Sequence, residues 1–201
     1  MILEESMLFG NPLAVFWKLA LSFALHQALI SPAISADGQN SIQFKADFRA
    51  ANDSLTAYLF LSESCPICQS STLEIKRLQT ENAGKPVKIL AVFPNRTSSE
   101  ETVKRFLRKY KLPVAFVNDT MQKLVKQFEA TTTPEVILLN NSQEIVYRGL
   151  IDNSYVSVGK RRQVVTAHYL SDAIKAYLSK GPIAVTHTEP VGCLIQSNKI
   201  R

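Results

Sequence analysis

The chain alternates unbroken apolar runs with amphipathic ones. Leu55 to Ser62 (LTAYLFLS) and Val87 to Phe93 (VKILAVF) are continuous apolar stretches of strand length, which suits strands buried on both faces. Between them Ile67, Ser71, Ile75 and Leu78 recur at helical spacing. This predicts a helix from about Pro66 to Asn82, stopped by Gly84, Lys85 and Pro86. Ser98 with Glu101 reads as a capping box ahead of Val103, Phe106, Leu107 and Tyr110. Leu112 to Val117 follows as a short strand. Asp119 with Gln122 can cap a further helix whose apolar face carries Met121, Leu124, Val125 and Phe128. After the loop Ala130 to Pro134, strands Glu135 to Leu139 and Glu144 to Arg148 flank a polar turn. Leu170, Ala173, Ile174, Tyr177 and Leu178 mark a last helix. Strands alternating with helices, then a hairpin and a final helix, predict the α/β class. Ile151 to His168 has no period and carries Lys160, Arg161 and Arg162, so it reads as a functional loop or as an exposed basic surface.

The first 36 residues differ from the rest. Leu13 to Ala36 is mostly apolar, with Lys18 ahead of a core at Leu19 to Ile30 and the small residues Ala33, Ser35 and Ala36 after it. That layout predicts a secretory signal peptide at 1–36, with an N-terminal apolar anchor or an ordinary buried helix as the other readings. The core is shorter than the roughly 20 apolar residues a spanning helix needs. The expected location is therefore outside the cytoplasm, periplasmic or extracellular, with membrane contact only through this segment if it is uncleaved. Residues 37–54 form a lead-in with a short strand at Ile42 to Phe44, 55–180 one domain, and 181–201 a tail.

Composition narrows this further. With 201 residues, 46% apolar and 20% charged, the chain is sized for one globular core and is not disordered or collagenous. The net charge of +6 is spread over segments that also carry Glu and Asp, so no nucleic-acid partner is expected. Asn52, Asn95, Asn118 and Asn140 head N-x-S/T triplets, which matter only in a glycosylating host.

The three cysteines carry the chemistry. Cys65 and Cys68 form a CPIC motif between the first strand and the first helix, and Cys193 stands apart. A disulfide across so short a loop constrains the unfolded chain little, so redox use explains the pair better than structural use. Cys65 falls at the helix N-terminus, where unpaired N–H groups favour a thiolate, and Pro66 takes the position where a missing N–H costs nothing. Cys68 lies one turn inward. Cys65 is then the attacking thiol and Cys68 the resolving one. A zinc half-site would need two more Cys or His at ligand spacing, and His168 and His187 are isolated, so neither metal nor cofactor is expected. Cys193, between Gly192 and Leu194-Ile195, sits in a bent segment that docks an apolar end. It is a small buried residue or a third redox thiol that captures a partner, links two chains or folds back onto Cys65.

A strand, then FLSESCPICQ, then a helix, and later Thr133-Pro134 entering a strand, resembles the thioredoxin-like superfamily. It is most similar to the redoxin group, with its TlpA-like thiol-disulfide oxidoreductases and alkyl hydroperoxide reductase/thiol-specific antioxidant proteins. The resemblance runs from about residue 55 to 180. It implies a central mixed sheet flanked by helices, with the group's strand-helix insertion at 114 to 129. It also implies a cis Thr133–Pro134 bond beside the cysteines and a Thr133 backbone that pairs with an extended substrate. The partners implied are protein or small-molecule thiols and disulfides together with a redox partner protein. Three positions depart from the pattern. Leu59 stands where relatives place a buried acid, and Glu63 is the nearest substitute, although an exposed loop role suits it. Ser64 replaces an aromatic residue, and Pro-Ile without His separates the cysteines. A peroxiredoxin-like thiol peroxidase is the alternative, since Ser62 lies three before Cys65, but Tyr58 stands at that motif's Pro position. A copper chaperone of this fold is a further alternative, although such proteins space their cysteines one residue wider and add a His.

Overall fold

Strand β1 (Leu55–Phe60) lies at the centre of a five-stranded sheet, which is why its run is apolar on both faces. The computed structural model describes residues 53–196; the predicted leader, and the lead-in with its strand at Ile42 to Phe44, lie outside them. In the sheet, β2 (Val87–Phe93) and β3 (Ala115–Asn118) extend β1 in parallel on one side. On the other side β5 (Glu135–Asn140) and β6 (Ile145–Gly149) add an antiparallel hairpin, giving the order β3-β2-β1-β5-β6.

Period-two alternation divides the core between the two faces. Leu55, Ala57 and Leu59 share one apolar cluster with Ile67, Ile75 and Leu78 of α1 (Pro66–Glu81) and with Val103 and Phe106 of α2 (Glu100–Lys109). Leu170, Ala173 and Ile174 of α4 (Tyr169–Leu178) belong to the same cluster. Phe60, Val92, Ile137 and Leu139 face the other way, beneath Phe128 of α3 (Lys123–Phe128). The Phe128 ring lies 5.1 Å from Tyr58 and 6.5 Å from Phe60, centroid to centroid. This is the thioredoxin-like arrangement expected, a mixed sheet with helices on both faces, and β3 with α3 supplies the strand and helix of the insertion.

Four local readings shift. The capping box at α2 is Ser99 with Thr102 rather than Ser98 with Glu101, because the Ser98 hydroxyl turns inward to donate to the Glu63 carboxylate. Helix α3 begins only at Lys123, since Gln122 adopts a left-handed conformation (φ 56°). The Asp119 carboxylate nevertheless accepts from the Lys123, Leu124 and Val125 N–H groups, while Met121 falls before the helix and is exposed. The strand expected from Leu112 starts at Ala115. The segment Ile151 to His168 holds a small hairpin of β7 (Tyr155–Ser157) and β8 (Lys160–Arg161), whose Tyr155 hydroxyl meets Ser70 of α1 at 3.0 Å.

The tail after α4 returns along the sheet. Thr188 N–H donates to Arg148 O and Arg148 N–H to Thr186 O, so the chain runs parallel beside β6. Gly149 makes this crossing feasible: its φ is 130°, and a Cβ there would lie 2.1 Å from Thr188 O. The tail then reaches β9 (Cys193–Leu194), which pairs with the two-residue strand β4 (Thr132–Thr133). Among the described residues, no helix is long and apolar enough to cross a membrane.

Candidate active site

Cys65 is the N-cap of α1, at the carboxyl end of β1, with Pro66 opening the helix. No side chain caps the first turn, so the partial positive charge of that terminus faces the Cys65 sulfur. Cys65 and Cys68 are both buried, and all three cysteines are free thiols. Across from them the Thr133–Pro134 peptide is cis, as the resemblance implied, and the Thr133 carbonyl lies 3.2 Å from Cys65 Sγ. Cys68 Sγ accepts the Ser62 N–H at 3.4 Å.

Cys193, the residue the sequence left most open, comes to the same point, with its Sγ 2.9 Å from Cys65 Sγ. Cys65 therefore has two thiol neighbours, one on its own helix turn and one on the tail. The hydrogen bond from Cys68 has the largest influence on Cys65, and Cys193 adds a second. Together they outweigh the desolvation that burial imposes and pull Cys65 down to about 5. The same contacts act oppositely on the donors. Burial raises Cys68 well above the ordinary thiol range, and the hydrogen bond and negative charge at Cys65 raise it further. Desolvation and then Cys65 push Cys193 up to about 11. The negative charge settles on the sulfur at the helix terminus, and the two neighbours keep their protons.

The other predicted residues have structural partners. Glu63 is not a free loop carboxylate: it accepts from Ser98 Oγ and Thr102 Oγ1, both at 2.9 Å, while its carbonyl accepts from Gln69 Nε2. It ties the cysteine loop to the start of α2. Leu59, at the place of the family acid, is fully buried in the core. The Ser62 hydroxyl meets Ser64 Oγ and accepts from Asn95 Nδ2 at 2.8 Å. Arg148 pairs with Glu135 and donates to Glu129 O.

Sequence reasoning missed Glu135, which is 1% exposed; it accepts from the Thr131 and Thr132 N–H groups and from Arg148, and so anchors the loop that presents Thr133. The only signal was an acid opening an otherwise apolar strand. It also missed Asn95, read only as a glycosylation triplet. Among the described residues no group of three or more His, Cys, Asp or Glu could hold a metal ion.

A model of the family described as Redoxin matches residues 30–161. No curated protein matches the sequence. Among solved structures the chain is similar to an uncharacterized conserved protein from Geobacillus kaustophilus, with 24% identity and a TM-score of 0.67, covering 74% of this chain and 80% of that one. It is similar also to the hypothetical protein SMc02350 from Sinorhizobium meliloti 1021, with 22% identity and a TM-score of 0.66, covering 77% of this chain and 85% of that one. These two likenesses show the fold.

Proposed function

The chain belongs to the redoxin family, and from that premise we propose that it is a thiol-disulfide oxidoreductase in which Cys65 and Cys68 carry out the exchange on extended polypeptide disulfides outside the cytoplasm. The observation that carries this reading is the thiolate-stabilising cluster at Cys65, set beside a backbone strand, Thr132–Thr133, that is free of the main sheet. A substrate strand pairs with Thr133, and the Cys65 thiolate attacks the substrate disulfide, releasing one substrate thiolate. Cys68 then attacks Cys65 Sγ, the Cys65–Cys68 disulfide forms, and the second substrate thiol leaves.

Electrostatics order these steps. Two of the influences that raise Cys68 come from the charge and hydrogen bonding of Cys65. Both vanish once Cys65 is bonded in a mixed disulfide, so Cys68 ionises more readily when it must attack. Among the described residues no carboxylate hydrogen-bonds to Cys68, and the buried Leu59 supplies no base. The apolar leader Leu13 to Ala36 supports the export part of the reading.

Reduction of insulin disulfides, compared with hydrogen peroxide consumption under the same thiol donor, tests the function. Insulin turnover well above the donor's own rate is expected, with no comparable peroxide turnover. Peroxide consumption that depends on Cys65, without insulin reduction, would sink the proposal.

The charge distribution gives a pH signature. The folded Cys65 lies below the ordinary thiol value, so its thiolate persists as pH falls and is lost only through about 5. Ultraviolet thiolate absorbance of the fully reduced protein should show one step near that pH, missing in Cys65→Ser. In Cys193→Ala the step moves upward, because one of the hydrogen bonds that lower Cys65 is gone. A single step in the ordinary thiol range would contradict this assignment.

A further inference from the structure

Strand β9 lies where the proposed reading seats a substrate. It pairs antiparallel with β4, Thr133 opposite Cys193 and Thr132 opposite Leu194, and the Ile195 N–H continues the ladder to Thr131 O at 2.8 Å. The Thr133 hydroxyl donates to Cys193 O. The residue before Cys193 lets this happen: a Cβ on Gly192 would fall 2.1 Å from Thr133 O and 3.0 Å from Pro134 N, so only glycine lays the chain on that carbonyl.

The segment is held on both sides of its cysteine. Upstream, the Thr188 hydroxyl accepts the Leu150 N–H and meets Tyr147 Oη at 2.9 Å, and Val191 packs on the larger apolar cluster. Downstream, Ile195 packs on the second cluster and Gln122 Nε2 donates to Gln196 O. Between these anchors β9 has only two residues, and Leu194 is 79% exposed. It is a short strap lying along Thr132 and Thr133.

Resting on the proposed exchange reaction, we propose that β9 is a built-in occupant of the substrate track and that Cys193 is an intramolecular substrate of the CPIC pair. In the oxidised protein the Cys193 sulfur attacks Cys65 Sγ. The Cys65–Cys68 bond breaks, a Cys65–Cys193 bond forms, and the proton given up by Cys193 ends on Cys68. One disulfide replaces another, and no outside oxidant or reductant is needed. The protein then has two oxidised forms, one closed within the active-site turn and one carried on the tail, and an external polypeptide must compete with the tail for Thr133.

Full-length Cys68→Ser protein, reduced and then treated with the azo oxidant diamide, tests this by non-reducing peptide mapping. The expected product is a monomer with a Cys65–Cys193 bond. Adding Gly192→Val, which leaves all remaining thiols in place, should lower the yield of that bond at a fixed short time by about tenfold, as expected if the seated state is cut to roughly a tenth of its population. Cys68→Ser protein that gives only intermolecular disulfides or free Cys193 overturns the exchange. A Gly192→Val yield equal to that of its parent overturns the role of the seated strand. Insulin reduction by the wild-type chain is read separately, so its failure would count against the proposed function and not against this bond.

Discussion

Replacing Cys65 with Ser is expected to lower insulin reduction by roughly a thousandfold or more, to the background of the thiol donor, as removal of an enzyme's nucleophile does. A serine hydroxyl neither ionises near neutral pH nor forms a disulfide, so both steps are lost together. Cys68→Ser differs in kind. It leaves the attacking sulfur and its helix terminus in place, and turnover stops after the first step with a substrate-bound mixed disulfide that non-reducing electrophoresis detects. Cys193 competes for the same sulfur from 2.9 Å, so part of the Cys68→Ser population is expected to resolve onto the tail instead. Retention of even a tenth of wild-type turnover in Cys65→Ser would remove Cys65 from the proposed role.

A large loss of stability is expected from Glu135→Ala. The carboxylate is 1% exposed, takes two backbone N–H groups from Thr131 and Thr132, and faces the Arg148 guanidinium at 3.0 Å. Truncation leaves the buried Thr132 N–H without its acceptor and a half-buried guanidinium without its counter-charge. Breaking one side of a buried ion pair costs about 3–5 kcal/mol, which for a domain of this size lowers the melting temperature by roughly 10 °C. Glu135→Gln keeps an acceptor for the N–H groups and should lose less. Because these bonds anchor β4, insulin turnover should also fall in Glu135→Ala at temperatures where it remains folded. Thermal unfolding followed by circular dichroism checks the first claim, and a shift of only one or two degrees would refute it.

The stabilised thiolate has a further consequence for the reduced protein. A folded Cys65 below its unfolded value contributes stability that is complete above the unfolded thiol pKa, about 8.5, and that disappears as pH falls through about 5. The disulfide form has no such thiolate, so this contribution favours the dithiol and makes the couple more oxidising.

Much of the fold was legible because its signals are local. The central strands announced themselves as unbroken apolar runs, and α1 and α4 by their spacing, since a residue's place on a pleat or a helical turn follows from its neighbours in sequence. The errors arose where a distant group competed for a local one. Ser98 gave up the cap of α2 because Glu63, on another loop, offered its hydroxyl a carboxylate. Met121 lost its helical position to the turn that brings Asp119 under the first N–H groups of α3. The hairpin at Tyr155 to Arg161 is too short to show a period, and its Tyr155 docks on Ser70, far away in sequence.

By itself, the sequence determined the α/β class and the placement of Cys65 and Cys68 at a strand-to-helix junction, and it suggested the order of roles proposed for them. Each depends on residues within a few positions of one another and on the dipole of a single helix. Only the tertiary structure decided the meeting of Cys193 with Cys65, the burial of Glu135 under Arg148 and the lowering of Cys65 by a thiol from the tail. Those depend on how the tail returns along β6 and onto β4, and the distance between residues 128 positions apart is set by packing that no local pattern records.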